Sequence, residues 1–258
     1  MVLAQVLCAI YILGLTINWR MVLFFMGSAL ITAAGYVIND YFDIKADAIN
    51  KPNKVYVGRE ISRRQALLFV FVLNMSTIFL SFVGNQKFIY FYSFLTIVGL
   101  WFYSYTLKRT FLIGNILIAF LGGFSIYILS YLSQPNSLLL AFSLFAFLSN
   151  LIREIIKDAE DIKGDLLLNA KTLPIKLGIK NTKIIVSMLS LIFLISIWIG
   201  LFRHNDFKLI TSVLVVTGLL FYVQYLIWFT HNTHLAFKKS SQTLKIIMLI
   251  GCLSIPLL

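Results

Sequence analysis

A chain of 258 residues that is 60% hydrophobic, only 12% charged and has a mean hydropathy of +0.90 is not a water-soluble domain, since such domains carry about 25% charged residues. Apolar runs of 15 to 22 residues recur along its whole length, too many to hide from water together. The net charge of +12 raises the question of nucleic acid, but the distribution of the charge argues against such a partner.

About 20 apolar residues span a bilayer as a helix, and the runs predict nine spans in one membrane domain covering residues 1–258. The first, 2–17, has no basic lead and no small-x-small cleavage site, so it reads as a span rather than a signal peptide. The second, 21–38, ends on an acidic stretch. Spans at 66–83, 88–106 and 111–132 follow, the last containing Gly122-Gly123, read as a close helix contact. Span 138–152 ends on a second acidic stretch, and spans 184–202, 208–229 and 244–258 complete the chain. The runs are continuous and do not alternate, which indicates helices rather than barrel strands. The expected fold is therefore all-α and polytopic. Cys8 and Cys252 lie in apolar runs, unsuited to a zinc site or a disulfide framework. His231-x-x-His234 has no third ligand nearby and reads as an interfacial pair.

The connections after spans 2, 4, 6 and 8 hold 18 of the 22 Lys and Arg residues. The positive-inside rule makes that side cytoplasmic. The expectation is a multi-pass protein of the cell membrane, with its N-terminus and both acidic stretches inside and its C-terminus outside. Basic charge is thus a topology signal first.

Seven of the ten acidic residues lie in those two stretches, 39–47 and 157–165, and both contain D-x-x-D-I-K-x-D. Residues i, i+3 and i+7 of a helix fall within about 60° of one face. Asp40, Asp43 and Asp47 have that spacing, as do Asp158, Asp161 and Asp165, and Asn39 shares the first face. Three carboxylates on one face repel one another until a cation arrives, and a helix C-terminus disfavours anions. Oxygen donors without His or Cys suit Mg²⁺, Mn²⁺ or Ca²⁺. Two facing triads can hold such ions around a diphosphate and neutralise it as it leaves. Arg63 and Arg64 follow the first triad, and Arg153 and Lys157 precede the second; these are candidate diphosphate ligands, Lys157 foremost because it adjoins Asp158. The structural alternative is two solvated helix ends with Asp–Lys pairing.

Asn39-Asp40-Tyr41-Phe42-Asp43-Ile44-Lys45-Ala46-Asp47, followed by Ile49-Asn50-Lys51-Pro52, resembles the first signature of the UbiA-type intramembrane prenyltransferases. Arg153-Glu154-Ile155-Ile156-Lys157-Asp158-Ala159-Glu160-Asp161 with Gly164-Asp165 resembles the second. Residues 103–109 and Lys171-Thr172-Leu173-Pro174 match further stretches, so the resemblance covers spans 2 to 7 in order. The form of the second signature is most similar to the geranylgeranylglyceryl-phosphate geranylgeranyltransferase branch and less so to the 4-hydroxybenzoate branch. The resemblance implies nine helices around a central cavity, facing Asp signatures, and Mg²⁺. Family members usually carry a basic amphipathic lead. This chain starts in an apolar run with Gln5 its only early polar residue, so the first span is expected to be shortened and no site residue is assigned to it.

The expected activity is transfer of a polyprenyl group from its diphosphate to a lipidic acceptor, with geranylgeranylglyceryl phosphate first and an aromatic quinone precursor as the alternative. Mg²⁺ would be held by Asn39, Asp40, Asp43, Asp47, Asp158, Asp161 and Asp165, with Asp43, Asp161 and Lys157 as the catalytic set. Lys108, Arg109 and Lys171 are candidates for an acceptor's phosphate, and Tyr103 and Tyr105 are among the aromatics suited to an allylic cation. A cation transporter would place its ligands near the midplane between inverted repeats; here they lie at helix ends, and four intervening spans give both copies the same orientation. A CDP-alcohol phosphatidyltransferase would begin its signature with Asp-Gly followed by Ala-Arg, a run this chain lacks.

Overall fold

The computed structural model describes residues 2–85, 87–132, 136–204 and 207–258. Among these residues the chain is helical, with one isolated bridge between Val57 and Ile61. A short α1 (Val2–Leu7) runs into a π-turn at Cys8–Ile12, followed by α2 (Trp19–Asn50), α3 (Arg63–Gly84), α4 (Lys87–Tyr105) and α5 (Ile113–Tyr127), which tightens to a 3₁₀ turn through Leu132. Then come α6 (Ser137–Glu160), the short α7 (Ile162–Leu167), α8 (Leu173–His204), α9 (Ile210–Phe229) and α10 (Thr233–Ser254).

Local sequence sets the helix boundaries. Asn18, Asn136 and Asn232 each accept a backbone N–H of the first turn of α2, α6 and α10, satisfying donors that a helix start leaves open. Ser62 and Gln65 form a reciprocal capping box at α3. Asn85, at φ 48°, stops α3 in the left-handed conformation.

Eight helices among the described residues are long and apolar enough to cross a membrane. The first predicted span is the exception. Its helix, Val2–Ile12, is about 16 Å long at 1.5 Å per residue, roughly half the bilayer's hydrocarbon core. Among the described residues the nine predicted helices are thus present as eight long ones and this short one, which is anchored by the buried Gln5 donating from Nε2 to the Ser125 carbonyl at 2.8 Å. Two spans also begin earlier than expected: α8 starts at Leu173 instead of 184, and α10 at Thr233 instead of 244. The hydropathic run marks only the part in oil. Helical backbone extends beyond it into the headgroup region, in α8 across a break at Gly178 (φ 78°, ψ 165°), and Lys176, Lys180, Lys238 and Lys239 stay exposed there.

Two larger apolar cores organise the bundle, and a smaller one packs α3 on α2 around Ala34, Ile38, Val70 and Leu73. One gathers α6, α8, α9 and α10 around Ile152, Ile156, Phe193, Val223 and Phe237. The other joins α1, α2, α4, α5 and the start of α6 around Phe24, Tyr92, Ile126 and Leu139. Small residues bring the helices close, as in membrane bundles generally. A Cβ on Gly123 would lie 2.8 Å from the Ser143 carbonyl oxygen, and Ser143 donates to the Gly123 carbonyl at 2.8 Å. The glycine pair is thus a helix contact, as expected. Outward-facing Phe82 and Phe229 are 70% and 73% exposed, a surface suited to lipid and not to water. This is a multi-pass membrane protein.

Alternating chain direction places the α2–α3, α4–α5, α6–α8 and α9–α10 connections at one end. Contacts join three of them there: Lys51 to Asp161, Lys108 to Asp43, and the Lys171 amide to the Arg109 carbonyl.

Candidate active site

The last turns of α2 present Asn39, Asp40, Asp43 and Asp47. Asp158 lies near the end of α6, Asp161 at the junction with α7, and Asp165 in α7. The sequence suggests one continuous helix for the second triad, but the helix breaks at Asp161, which adopts φ −93°, ψ 9° and caps α6. That break opens the backbone to a partner. Asn50, at the end of α2, donates from Nδ2 to the Asp161 carbonyl at 3.0 Å, and its Oδ1 accepts the Gly164 amide at 3.0 Å. Gly164 has to be glycine here, because a Cβ would run into Asn50 Nδ2 and lie 2.9 Å from the Ala46 carbonyl oxygen. Lys51 adds a side-chain link, 2.8 Å from Asp161 Oδ2 and 4.0 Å from Asp47 Oδ1. The two stretches, 118 positions apart in sequence, are latched together by residues immediately following the first.

Each side has a further support. Lys108, in the 3₁₀ turn Leu107–Arg109, donates from Nζ to Asp43 Oδ1 at 2.5 Å and to Asn39 Oδ1 at 3.5 Å. Burial lowers its pKa, and the neighbouring Asp43 carboxylate opposes that shift. Asn115, in the first turn of α5, donates to Asp158 Oδ2 at 2.8 Å. Asp165 is pushed up to about 7 by burial first, then by the charges of Asp161 and Asp43. Repulsion that reaches from Asp43 in one stretch to Asp165 in the other is the electrostatic signature of facing carboxylates.

On α6, one turn before the second triad, the carboxylate of Glu154 is buried. It accepts from Arg153 Nη1 at 2.7 Å and from Tyr103 OH at 3.2 Å, with Lys157 Nζ at 3.8 Å. Tyr103 is thus tied to this acid, whereas Tyr105 is exposed and packs against Phe42. Arg109 and Lys171 are drawn together when the Lys171 amide donates to the Arg109 carbonyl at 2.7 Å; the Lys171 side chain is exposed, and Arg109 Nε is buried without a partner. Arg63 and Arg64 are exposed in the first turn of α3.

The donor set is oxygen-only and suits a hard divalent cation. Among the described residues no three carboxylates converge into a closed cage; instead two ammonium groups lie against Asp43 and Asp161. Such a donor set fits Mg²⁺, which binds through one or two carboxylates and completes its shell with water and substrate phosphate. Sequence reasoning gave no role to Glu154, Asn115, Asn50 or Lys51. A signal existed for the first two: each is a strongly polar residue inside an apolar helix, where a buried polar group needs a reason.

Residues 2–247 match the model of the UbiA prenyltransferase family. The chain is 31% identical over 247 residues to digeranylgeranylglyceryl phosphate synthase of Methanosphaera stadtmanae, covering 94% of this chain and 89% of that one. A solved structure concerning digeranylgeranylglyceryl phosphate synthase in membranes superposes with a TM-score of 0.75 at 25% identity, covering 98% of this chain and 91% of that one. A UbiA homologue from Archaeoglobus fulgidus, solved bound to GPP and Mg²⁺, shares the fold with a TM-score of 0.69 at 18% identity, covering 99% of this chain and 94% of that one. The family match over nearly the whole chain and the paired acidic stretches lead to one assignment: this protein belongs to the UbiA prenyltransferase family.

Proposed function

We propose that this protein is a Mg²⁺-dependent intramembrane enzyme that transfers a polyprenyl group from its diphosphate to the free hydroxyl of geranylgeranylglyceryl phosphate. The allylic carbon–oxygen bond of the diphosphate breaks, a carbon–oxygen ether bond forms, and the acceptor hydroxyl gives up its proton. The observation that carries this reading is the latch of Asn50 and Lys51 onto Asp161 and Gly164, which holds two sets of carboxylates against one another. The name of the Methanosphaera stadtmanae relative supports the choice of acceptor.

Asn39, Asp40, Asp43 and Asp47 on one side and Asp158, Asp161 and Asp165 on the other would hold Mg²⁺. When bound, Mg²⁺ supplies Lewis-acid neutralisation of the departing diphosphate. Arg153 and Lys157 bind the diphosphate from the α6 side, and the exposed Arg63 and Arg64 draw the anion in from the rim. Lys108, which donates to Asp43, would with Arg109 and Lys171 bind the acceptor's phosphate. Asp43, Asp161 and Lys157 are the catalytic set, because each acts on the leaving group. With 18 of 22 basic residues at the carboxylate end, that end lies in the cytoplasm and the C-terminus outside, in the cell membrane.

Purified protein offered a panel of prenyl diphosphates with glyceryl-phosphate ether, hydroxybenzoate or naphthoate is expected to form the double ether of the glyceryl phosphate, identified by mass spectrometry. Prenylated hydroxybenzoate or naphthoate without the ether product would overturn the acceptor assignment. Ion flux into proteoliposomes without any diphosphate would overturn the enzyme reading.

A further inference from the structure

Glu154 is an acid inside a membrane-spanning helix, with its side chain only 5% exposed. A buried charge is costly unless it is paired. Here it has three partners: Arg153 on the preceding residue, Lys157 one turn on, and Tyr103 from α4. Arg153 and Lys157 are i and i+4 on one helix, where two cations repel; the carboxylate between them offsets that repulsion. The trio keeps a net charge of +1, two cations less one anion. The trio also has unused donor capacity, since Arg153 Nε is buried with no partner. The charge of Lys157 acts on Asp40, Asp43, Asp161 and Asp165, in both acidic stretches. Lys157 adjoins Asp158 and lies one helical turn before Asp161 on α6.

We infer that Glu154 is a positioning residue: it fixes Arg153 and Lys157 as a rigid cationic pair that receives the diphosphate of the prenyl donor, and Tyr103 locks its carboxylate from the opposite helix. This rests on the prenyl-transfer reading given above. Both long side chains have many rotamers, and immobilising each on binding is unfavourable. Glu154 meets that cost before the substrate arrives. Because it touches no substrate, its loss acts on donor binding and leaves acceptor recognition alone.

The test is the steady-state kinetics of Glu154→Gln in the full-length protein, with direct binding of an unreactive prenyl thiolodiphosphate in Mg²⁺. The expected result is a KM for the prenyl diphosphate, and a Kd for the analogue, raised about tenfold, as removal of a fixed charge-assisted contact gives. The acceptor KM stays within about twofold, while kcat also falls because the displaced Lys157 acts less on the leaving group. In a Lys157→Met background the same substitution adds about threefold or less, since only Arg153 remains to be positioned. Unchanged donor KM and analogue Kd, a loss confined to kcat, or full additivity with Lys157→Met would each overturn the inference. If Glu154→Gln does not fold, Glu154→Asp keeps the charge but withdraws it by one methylene. It is expected to raise the donor KM at least about threefold, and an unchanged KM would overturn the inference. A wild-type protein that transfers no prenyl group sinks the functional reading itself; an active wild type with an unaltered Glu154→Gln KM sinks only the role of Glu154.

Discussion

Replacing Asp43 by Ala is expected to lower prenyl transfer about a thousandfold, equivalent to about 4 kcal/mol of transition-state stabilisation. A metal-held diphosphate depends on this scale of charge neutralisation. Asp43 stands at the centre of the site: Lys108 binds its carboxylate, and its charge reaches Asp165 in the other stretch. The same loss is expected for Asp161→Ala. The two variants differ in stability. Asp43→Ala leaves the mostly buried Lys108 ammonium, 10% exposed, without its ion partner, and breaking such a pair costs about 3 kcal/mol. Asp161→Ala leaves Lys51 near Asp47, so its unfolding temperature stays closer to wild type. Activity in membranes, together with thermal unfolding in detergent, checks both. Undiminished transfer in both variants would contradict the metal assignment.

The second large effect is expected at Gly164, which bears no reactive group. Gly164→Val forces a branched side chain onto Asn50 and the Ala46 carbonyl, and overpacking of this kind costs about 1–3 kcal/mol. Relief comes by moving α7 away from α2, which separates Asp165 and Asp161 from Asp43 and Asp47. A displacement of about 1 Å at a reacting centre costs about a hundredfold, so transfer is expected to fall about that much while the helices remain folded. Asn50→Ala removes two hydrogen bonds without adding bulk, so its effect is smaller. Equal activities for Gly164→Val and wild type would show that the latch does not set the separation of the two stretches.

The sequence made the membrane character, the helical class and the common end of both acidic stretches legible, because long apolar runs and the placement of Lys and Arg report directly on the bilayer. Helical spacing also identified which carboxylates share a face, and for Asp40, Asp43 and Asp47 the continuous α2 bears this out. It failed at Asp161, where no proline or glycine precedes the break. The break is imposed from outside, by Asn50 taking the Asp161 carbonyl and the Gly164 amide, and no local pattern reveals a partner 111 residues away. The same applies to Asn115 on Asp158 and Tyr103 on Glu154, pairings that exist only once α4, α5 and α6 pack. The short first helix was half legible. Its apolar run was clear, but the run continues in sequence beyond Ile12 while the helix ends and Gly14 adopts φ 61°.

The central claim is that the two acidic stretches act as one metal-dependent diphosphate clamp. Binding of an unreactive prenyl thiolodiphosphate to the wild type, Asp43→Asn and Asp161→Asn, each with and without Mg²⁺, tests it most directly. The account predicts that Mg²⁺ tightens binding to the wild type at least about tenfold and that either substitution alone removes the tightening. Mg²⁺ tightening that survives in both variants, or wild-type binding that ignores Mg²⁺, would contradict it.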